Sequence, residues 1–441
     1  MTSRTTQSIP APISAPIPAP PAPAPRLSGD PTVRRLSALL LVNATGNGLF
    51  LTASTLWFTR GLGFTVAQVG LALTVAGVCG ILASFPAGRA CDRWNARRVL
   101  TCLHVLQAAA IGLYTVAGSF PLFVALACLA TAGSRANATA RSALYAHLLP
   151  PARRTHALAV LRAVNNVGVG AGAALGSAVI AFDSDVVYRG ALCLSGVAFL
   201  LALIPLRAIS EPTRRAPARR PRTAEAVKGR RGASVPVPQH ASRPLRDLPY
   251  LAVTALNAVV NTLYVVLNVA LPLWLLTYTS APRSLVGWLL VINTILVVAL
   301  QVRAAHGATG LGEAARAFRR GGLFVAAACL AIVCAAGRSP GTATGVLVSA
   351  VILLTLGEVM SQAGSWALSY DLAPEHAQGA YQGVHQTGIS VSQALGPGML
   401  TAFVLPHGTA GWAALAAVFA GAALALPATA RWAARGRREV R

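Results

Sequence analysis

Gly88-Arg89-Ala90-Cys91-Asp92-Arg93-Trp94-Asn95-Ala96-Arg97-Arg98 places four arginines and one aspartate inside a very apolar chain. An apolar segment ends just before it, near Pro86, and another begins just after it, near Val99. Those flanks leave room only for a tight loop between two membrane helices. The rest of the chain is read outward from this loop.

Of the 441 residues, 55% are apolar and 11% charged, against about 25% charged in an ordinary soluble domain. Twelve acidic residues face 37 basic ones, for a net charge of +25. On a soluble protein that excess would point to nucleic acid. Here the arginines sit in clumps between apolar runs of spanning length, with no groove-reading or aromatic elements among them, so no nucleic-acid partner is expected. The excess reads as membrane topology. Lys228 is the lone lysine; with the richness in Ala, Pro and Gly, this suggests a bacterial genome of high GC content. The seven cysteines form no CxxC pair, so they indicate neither a metal site nor a disulfide framework and read as small packing residues. No cofactor is expected. Residues 1–35 contain an Ala/Pro tract and lack the apolar core of a signal peptide, which predicts a polyproline-like disordered tail.

A bilayer core of about 30 Å needs roughly 20 apolar residues per helix. Candidate spans are 36–58, 66–87, 99–118, 120–146, 157–181 and 187–206, then 249–277, 284–303, 320–337, 342–369, 378–404 and 410–431. The expected architecture is therefore all-α and integral to the membrane, with twelve transmembrane helices. A six-helix bundle over 36–206 and another over 248–432 are joined by a basic linker, 207–247, with a basic tail over 433–441. The linker holds ten arginines and Lys228, is rich in Pro and lacks apolar periodicity, so it reads as disordered. An even number of spans puts both termini on one side. Arg34/Arg35, Arg89 to Arg98, Arg153/Arg154, the linker, Arg303 to Arg320 and the C-terminal arginines all fall on that side. The positive-inside rule makes it the cytoplasm, in a multi-pass protein of the bacterial cell membrane. Weak internal echoes support a duplication: Asn43 and Asn47 recur as Asn257 and Asn261, and Ala174-Leu175-Gly176 recurs as Ala394-Leu395-Gly396.

The loop at 88–98, with its Gly, its Asp-Arg pair and its terminal Arg pair, resembles the signature loop of the major facilitator superfamily. That resemblance implies two pseudo-symmetric six-helix halves and solute transport by alternating access. It also implies that Gly88 packs the second helix against the eleventh and that Asp92 accepts hydrogen bonds from the N-terminal amides of that helix. Arg93, Arg97 and Arg98 would tie the loop to helix ends or lipid heads, completing a cytoplasmic gate motif. Asn95 stands where the family prefers Gly, and Ala96 where a basic residue is usual. The equivalent loop of the second half has no such Asp.

Among the twelve acids, Glu358 alone falls near the middle of a span. An ionised carboxylate there costs about 2.5–3.5 kcal/mol on insertion scales, so Glu358 reads as a protonation switch, with His385 as a second proton-coupling candidate. Arg135, Arg141 and Arg162 also lie at membrane depth. Arg135 resembles the membrane arginine that antiporters of the family carry on the fourth helix, and it is expected to pair with substrate or with a carboxylate. Arg141 and Arg135 fall on different flanks of one helix; Arg141 is placed near the cytoplasmic gate, and Arg162 could snorkel to the interface. Asn43, Asn47, Asn166, Asn257, Asn261, Gln362 and Gln386, with Arg135, make up the expected substrate cavity; the asparagine pairs read equally well as helix–helix glue. Gly168, Gly170, Gly172 and Gly176 partly resemble the glycine-rich motif of drug–proton antiporters, with Ser177 where that motif has proline.

These readings converge on a secondary transporter, not an enzyme, exporting small amphipathic compounds such as drugs or natural products in exchange for protons. The expected partners are a small-molecule substrate, protons and the bilayer, and the chain is expected to be a monomer with no metal site. An importer of a small nutrient such as a sugar or organic acid is the alternative. A membrane-embedded lipid-linked transferase is a remote one, because the outer loops are short and carry only Asp183 and Asp185.

Overall fold

The computed structural model describes residues 30–182, 184–209, 244–305 and 310–438. The expected N-terminal tail up to residue 29, most of the linker and the last three residues lie outside them. The described residues form twelve long helices and no strand. In the first half these are α1 (Pro31–Leu56), α2 (Val66–Trp94), α3 (Ala96–Leu113), α4 (Phe120–Leu148), α5 (Pro151–Phe182) and α6 (Asp185–Leu201). In the second they are α7 (Leu248–Tyr278), α8 (Leu285–Ala305), α9 (Leu311–Val333), α10 (Pro340–Asp371), α11 (Gln378–Met399) and α12 (Gly408–Arg438).

Several boundaries differ from the sequence reading: the expected loop at 88–98 is helix on both sides of Asn95, α5 starts at Pro151 rather than 157, and α9 starts at Leu311 rather than 320. α1 begins at Pro31 because the Asp30 carboxylate accepts the Thr32 backbone N–H at 2.8 Å and Pro31 supplies a pre-set first helical residue. Residues 31–35 are therefore helix rather than tail. At the other end α12 continues to Arg438, through most of the segment expected as a basic tail. The turn between α2 and α3 depends on one residue. Asn95 has φ +84°, and its side-chain oxygen accepts the Arg97 N–H at 2.9 Å to start α3. Asparagine tolerates this left-handed backbone better than most residues.

Polar helices cross the bundle alongside apolar ones. α4 carries Arg135, Asn137 and Arg141, and α11 carries Gln378, Gln382, His385 and Gln386, all mostly or largely shielded by neighbouring helices. Interior packing makes such residues tolerable in a bilayer. α7 is not continuous: it is α-helical over Leu248–Asn261, widens to a π turn over Val266–Ala270 and resumes at Leu271. Such widened turns often sit at functional positions.

The same pairings recur in both halves: α1 packs on α5 as α7 does on α11, and α2 on α4 as α8 does on α10. Across the seam, α2 packs against α11 and α5 against α8. One face of the bundle holds the α2–α3 turn, the α4–α5 turn and the outer ends of α1 and α12. Its connectors are rich in arginine, and it is called the basic face below. Three glycines of α5 make the close approach to α1 possible. A Cβ on Gly168 would stand 2.7 Å from Ala44 Cβ, on Gly172 2.1 Å from Thr45 O, and on Gly176 2.6 Å from Thr52 Cβ. Gly170 faces open space.

Candidate functional site

At the basic face, α2 and α11 touch backbone to backbone. A Cβ on Gly88 would lie 2.2 Å from Gly379 O, and one on Gly379 would lie 2.4 Å from Gly88 O and 2.6 Å from Asp92 Oδ1. That contact places Asp92 at the first turn of α11, where the amides have no helical acceptor. Asp92 Oδ1 accepts from Gly379 N at 2.8 Å and Oδ2 from Ala380 N at 2.7 Å. A carboxylate meeting two orphan amides at the positive end of a helix dipole makes a charge-assisted clamp. Arg97 Nη2 donates to Arg207 O at 2.9 Å, within the first half. Arg93 and Arg98 are exposed, and the Arg93 guanidinium lies beside the Trp94 ring at 5.7 Å. Nearby, Tyr370 Oη donates to Ser142 O at 3.1 Å, Gln386 Nε2 donates to Ser142 Oγ at 3.2 Å, and the Arg154 guanidinium lies 5.0 Å over the Tyr370 ring. The two halves are thus joined by several bonds on this face.

At mid-depth the seam is crossed by an ion pair. Glu358 on α10 is 3% exposed; its Oε1 accepts from Arg162 Nη2 of α5 at 2.7 Å and its Oε2 from Asn293 Nδ2 of α8 at 3.0 Å. Asn293 is itself held by Thr355 Oγ1 at 3.0 Å. Arg162 also donates to the Tyr264 hydroxyl, and its guanidinium lies 5.3 Å from the Tyr264 ring and 5.9 Å from the Trp366 ring. One arginine of the first half is therefore received by an acid and two aromatic rings of the second.

This corrects the expected pairing. Arg135 meets no carboxylate; its Nη1 donates to Gln393 Oε1 on α11 at 2.6 Å. Residue 135 faces α2 and α11, where Gly80 leaves space against its Cγ, whereas α5 presents Arg162 directly across the seam. Nor does Arg162 snorkel outward, because the Glu358 carboxylate inside offers a stronger partner than an interfacial headgroup.

Arg141, expected near the cytoplasmic gate, is the centre of a hydrogen-bonded network in the first half. Its Nη1 donates to Asn43 Oδ1 at 3.1 Å and to Asn137 Oδ1 at 3.0 Å, and Asn137 Nδ2 donates to Gln107 Oε1 at 2.9 Å. His104 is fully buried; its Nδ1 lies 2.8 Å from Leu100 O, a contact that an N–H satisfies, which leaves Nε2 to accept from Asn43 Nδ2 at 3.4 Å. A cavity of about 60 Å³ beside the network is lined by Asn43, Asn47, Asn137, Arg141 and Asn165, among others. Sequence reasoning missed His104, Gln107 and Asn137. Their signal was present: His104 and Gln107 lie one turn apart in an otherwise apolar α3, and Asn137 lies one turn before Arg141.

A larger cavity of about 220 Å³ lies between the halves on the basic side of the ion pair, walled by α1, α4, α5, α10 and α11. Arg141, Arg162, His385 and Gln386 line it, together with Asn165, Trp366 and Tyr145. Asn166, an expected cavity residue, lines neither cavity; one step along α5 turns the side chain by about 100°, so Asn165 takes that place. Asn257, Asn261 and Gln362 lie outside both cavities as well. Asn261 Nδ2 donates to Ser392 Oγ at 2.9 Å and its Oδ1 lies 3.5 Å from Gln362 Nε2, while Asn257 borders a void of about 10 Å³. Asn261 and Gln362 tie second-half helices together, because their partners sit on neighbouring helices rather than on the cavity wall. Among the described residues, no three His, Cys, Asp or Glu side chains stand close enough to hold a metal ion.

The family model for the Major Facilitator Superfamily matches residues 36–397. The chain belongs to this family of membrane transporters, and its twelve helices form the family's fold of two pseudo-symmetric six-helix halves. Similar solved structures include a bacterial homologue of the iron transporter ferroportin in an outward-facing state, 14% identical over 92% of this chain and 99% of that one, with a TM-score of 0.67. The human organic anion transporter MFSD10 (TETRAN) is 17% identical over 90% and 99%, with a TM-score of 0.65. The transporter FucP in the outward conformation is 15% identical over 91% and 98%, with a TM-score of 0.64. At these identities the likeness is one of fold. A search of the curated proteins gave no match.

Proposed function

We propose that the chain is a proton-coupled exporter of small amphipathic compounds, working by alternating access between its halves, with the basic face in the cytoplasm of a bacterial cell. The observation that carries this reading is the Arg162–Glu358 pair. A buried carboxylate and its cation sit on opposite sides of the seam that must open and close. When Glu358 is ionised, parting the halves strands an arginine and a carboxylate in low dielectric, at about 3–5 kcal/mol. Protonation removes the attraction across the seam and the cost of stranding the carboxylate, and Arg162 then meets water as the cavity opens. Proton binding and the opening of the seam are then one linked equilibrium, which is what coupling requires.

The conformation fits this scheme. The inter-half hydrogen bonds described above run from the basic face to mid-depth, and the ferroportin homologue and FucP that share the fold are described as outward. Asp92 and its two amides act in this reading as the latch of the closed basic face, with Gly88 and Gly379 setting its distance. His385, on the cavity wall, is a second group able to accept a proton. Import of a nutrient with protons would use the same pair; the fold also occurs in a fucose:proton symporter and a proton:xylose symporter. The direction of a substrate-driven proton flux distinguishes the two. In proteoliposomes, the parent chain is expected to move protons opposite to its substrate. Glu358→Gln is expected to retain substrate binding but lose coupled proton movement by at least about tenfold. Unchanged coupled flux in Glu358→Gln removes this residue from the mechanism.

A further inference from the structure

We propose that the 220 Å³ cavity is a binding site for a small organic monoanion, an acid whose carboxylate docks between Arg141 and Tyr145 and whose apolar body lies against Trp366. This deepens the transport reading and rests on it for the claim that the bound acid is the cargo. Three observations lead to it.

The first is charge. Two arginines line the cavity and no Asp or Glu does. Arg162 is neutralised by Glu358, whereas among the described residues Arg141 hydrogen-bonds only the neutral amides of Asn43 and Asn137, both through Nη1. Among those residues the site therefore carries one positive charge without a counter-ion, in surroundings where an unpaired charge is expensive. An anionic ligand supplies what the fold leaves out.

The second is an excess of donors. Tyr145 lies one turn beyond Arg141 on the same helix; it is 7% exposed, and its hydroxyl has no hydrogen-bond partner among the described residues. Arg162, which lines the same cavity, likewise has its Nε buried without a partner among them. Buried polar groups are almost always paired, so two unpaired donors on residues that line one cavity mark where an acceptor is missing. A carboxylate has two oxygens that accept from several donors at once, and arginine meets it in a planar fork. His385, 5% exposed on the opposite wall, forms no hydrogen bond among the described residues and adds a further polar group.

The third is shape. The wall mixes polar side chains such as Ser142, Asn165 and Gln382 with the apolar Leu158, Leu161 and Ile389 and the Trp366 ring. A volume of about 220 Å³ takes a compact body of ring size, and the leucines and Trp366 give its apolar side a surface to lie on.

The test is equilibrium binding to the purified full chain in detergent, followed by calorimetry and thermal shift. The probes are benzoate, naphthoate and octanoate, each with its neutral amide and its amine. The acids are expected to bind at least about tenfold more tightly than their amides, the gain of a charge-assisted bond, with the amines weakest. Arg141→Gln is expected to lose at least about tenfold in affinity for the acids, and Arg141→Lys to regain part of it. Tyr145→Phe keeps the ring and is expected to lose about threefold to tenfold, which covers the case that Arg141→Gln does not fold. Arg338→Gln, at an exposed position between α9 and α10, is the control. Amides or amines that bind as tightly as the acids overturn the proposal, as does full acid affinity in Arg141→Gln or the absence of binding by every acid. Acids that bind but are never carried across liposomes would remove the transport reading and leave the site standing. Neutral or cationic compounds carried by a chain that binds no acid would do the reverse.

Discussion

The two halves share a topology but not an interior. In the second half the buried apolar side chains form one continuous cluster, from Tyr250 through Phe318 and Trp274 to Phe419. In the first half they form two. One surrounds Trp57, Tyr114 and Phe123 toward the far face, and the other surrounds Leu36, Leu100 and Leu144 toward the basic face. Asn43, His104, Gln107, Asn137 and Arg141 lie in the gap. The first half thus carries a polar layer with a cation at its centre, while the second spreads its buried polar side chains over separate ties, among them Asn261–Ser392, Asn293–Thr355 and Gln382–Ser369, and the seam-facing acid Glu358. In lipid, apolar burial does not drive helices together, so packing and interhelical hydrogen bonds hold them. The same fold is accordingly held around one cation-centred network in the first half and by several separate side-chain ties in the second.

That contrast orders the consequences of mutation. The largest effect on stability is expected from Asn137→Leu. It removes an acceptor of Arg141 and the donor to Gln107, leaving both without a partner they now have, and it should destabilise the first half by about 2–4 kcal/mol. Thermal unfolding in detergent with proteolytic mapping of each half checks this; an unchanged melting temperature would mean the network is ornamental. A smaller effect is expected from Asp92→Asn, which keeps the shape but turns an acceptor pair into one acceptor and one donor facing an amide N–H. The latch should weaken by about 1.5–3 kcal/mol, seen as faster labelling of cysteines placed on the basic-face side of the seam. The smallest effects are expected in the second half. Asn261→Leu should cost about 0.6 kcal/mol, the average of a neutral bond between membrane helices, and Asn257→Leu should stay within about 0.5 kcal/mol in the same melting assay. If these two changes matched Asn137→Leu, the distinction between the halves would collapse.

The fold was legible because span length and arginine placement are one-dimensional signals. Apolar runs announce helices, and the loop at 88–98 announces which two helices meet. Gly88 and Asp92 could be read because the loop resembles the family's signature, and that resemblance implies their contact with the eleventh helix. The middle of the membrane was harder. Three arginines lay at membrane depth, and choosing the partner of Glu358 needed the rotation of α5 against α10, which no periodicity in an Ala/Leu/Gly-rich helix discloses. Arg162 rather than Arg135 makes that bond. Asn165 and Asn166 differ by one step of a helix, enough to put one on the cavity wall and the other off it. His104 and Gln107 went unnoticed because a lone histidine in an apolar helix has many bland uses; only the convergence of α1, α3 and α4 shows that it joins Asn43 beside Arg141.

The account depends on a charge pair that fastens one half to the other, and spin-label distances across the basic face test it most directly. Labels at Arg98→Cys and His376→Cys, both exposed positions, in a background stripped of other cysteines, report how far α3 and α11 stand apart there. The parent at neutral pH is expected to show a single short distance. With Glu358→Gln added, a second, longer population should appear, because the seam has lost its ion pair while Asp92 is untouched. Identical distance distributions in the two proteins would contradict the claim that the Arg162–Glu358 pair governs the opening of the seam.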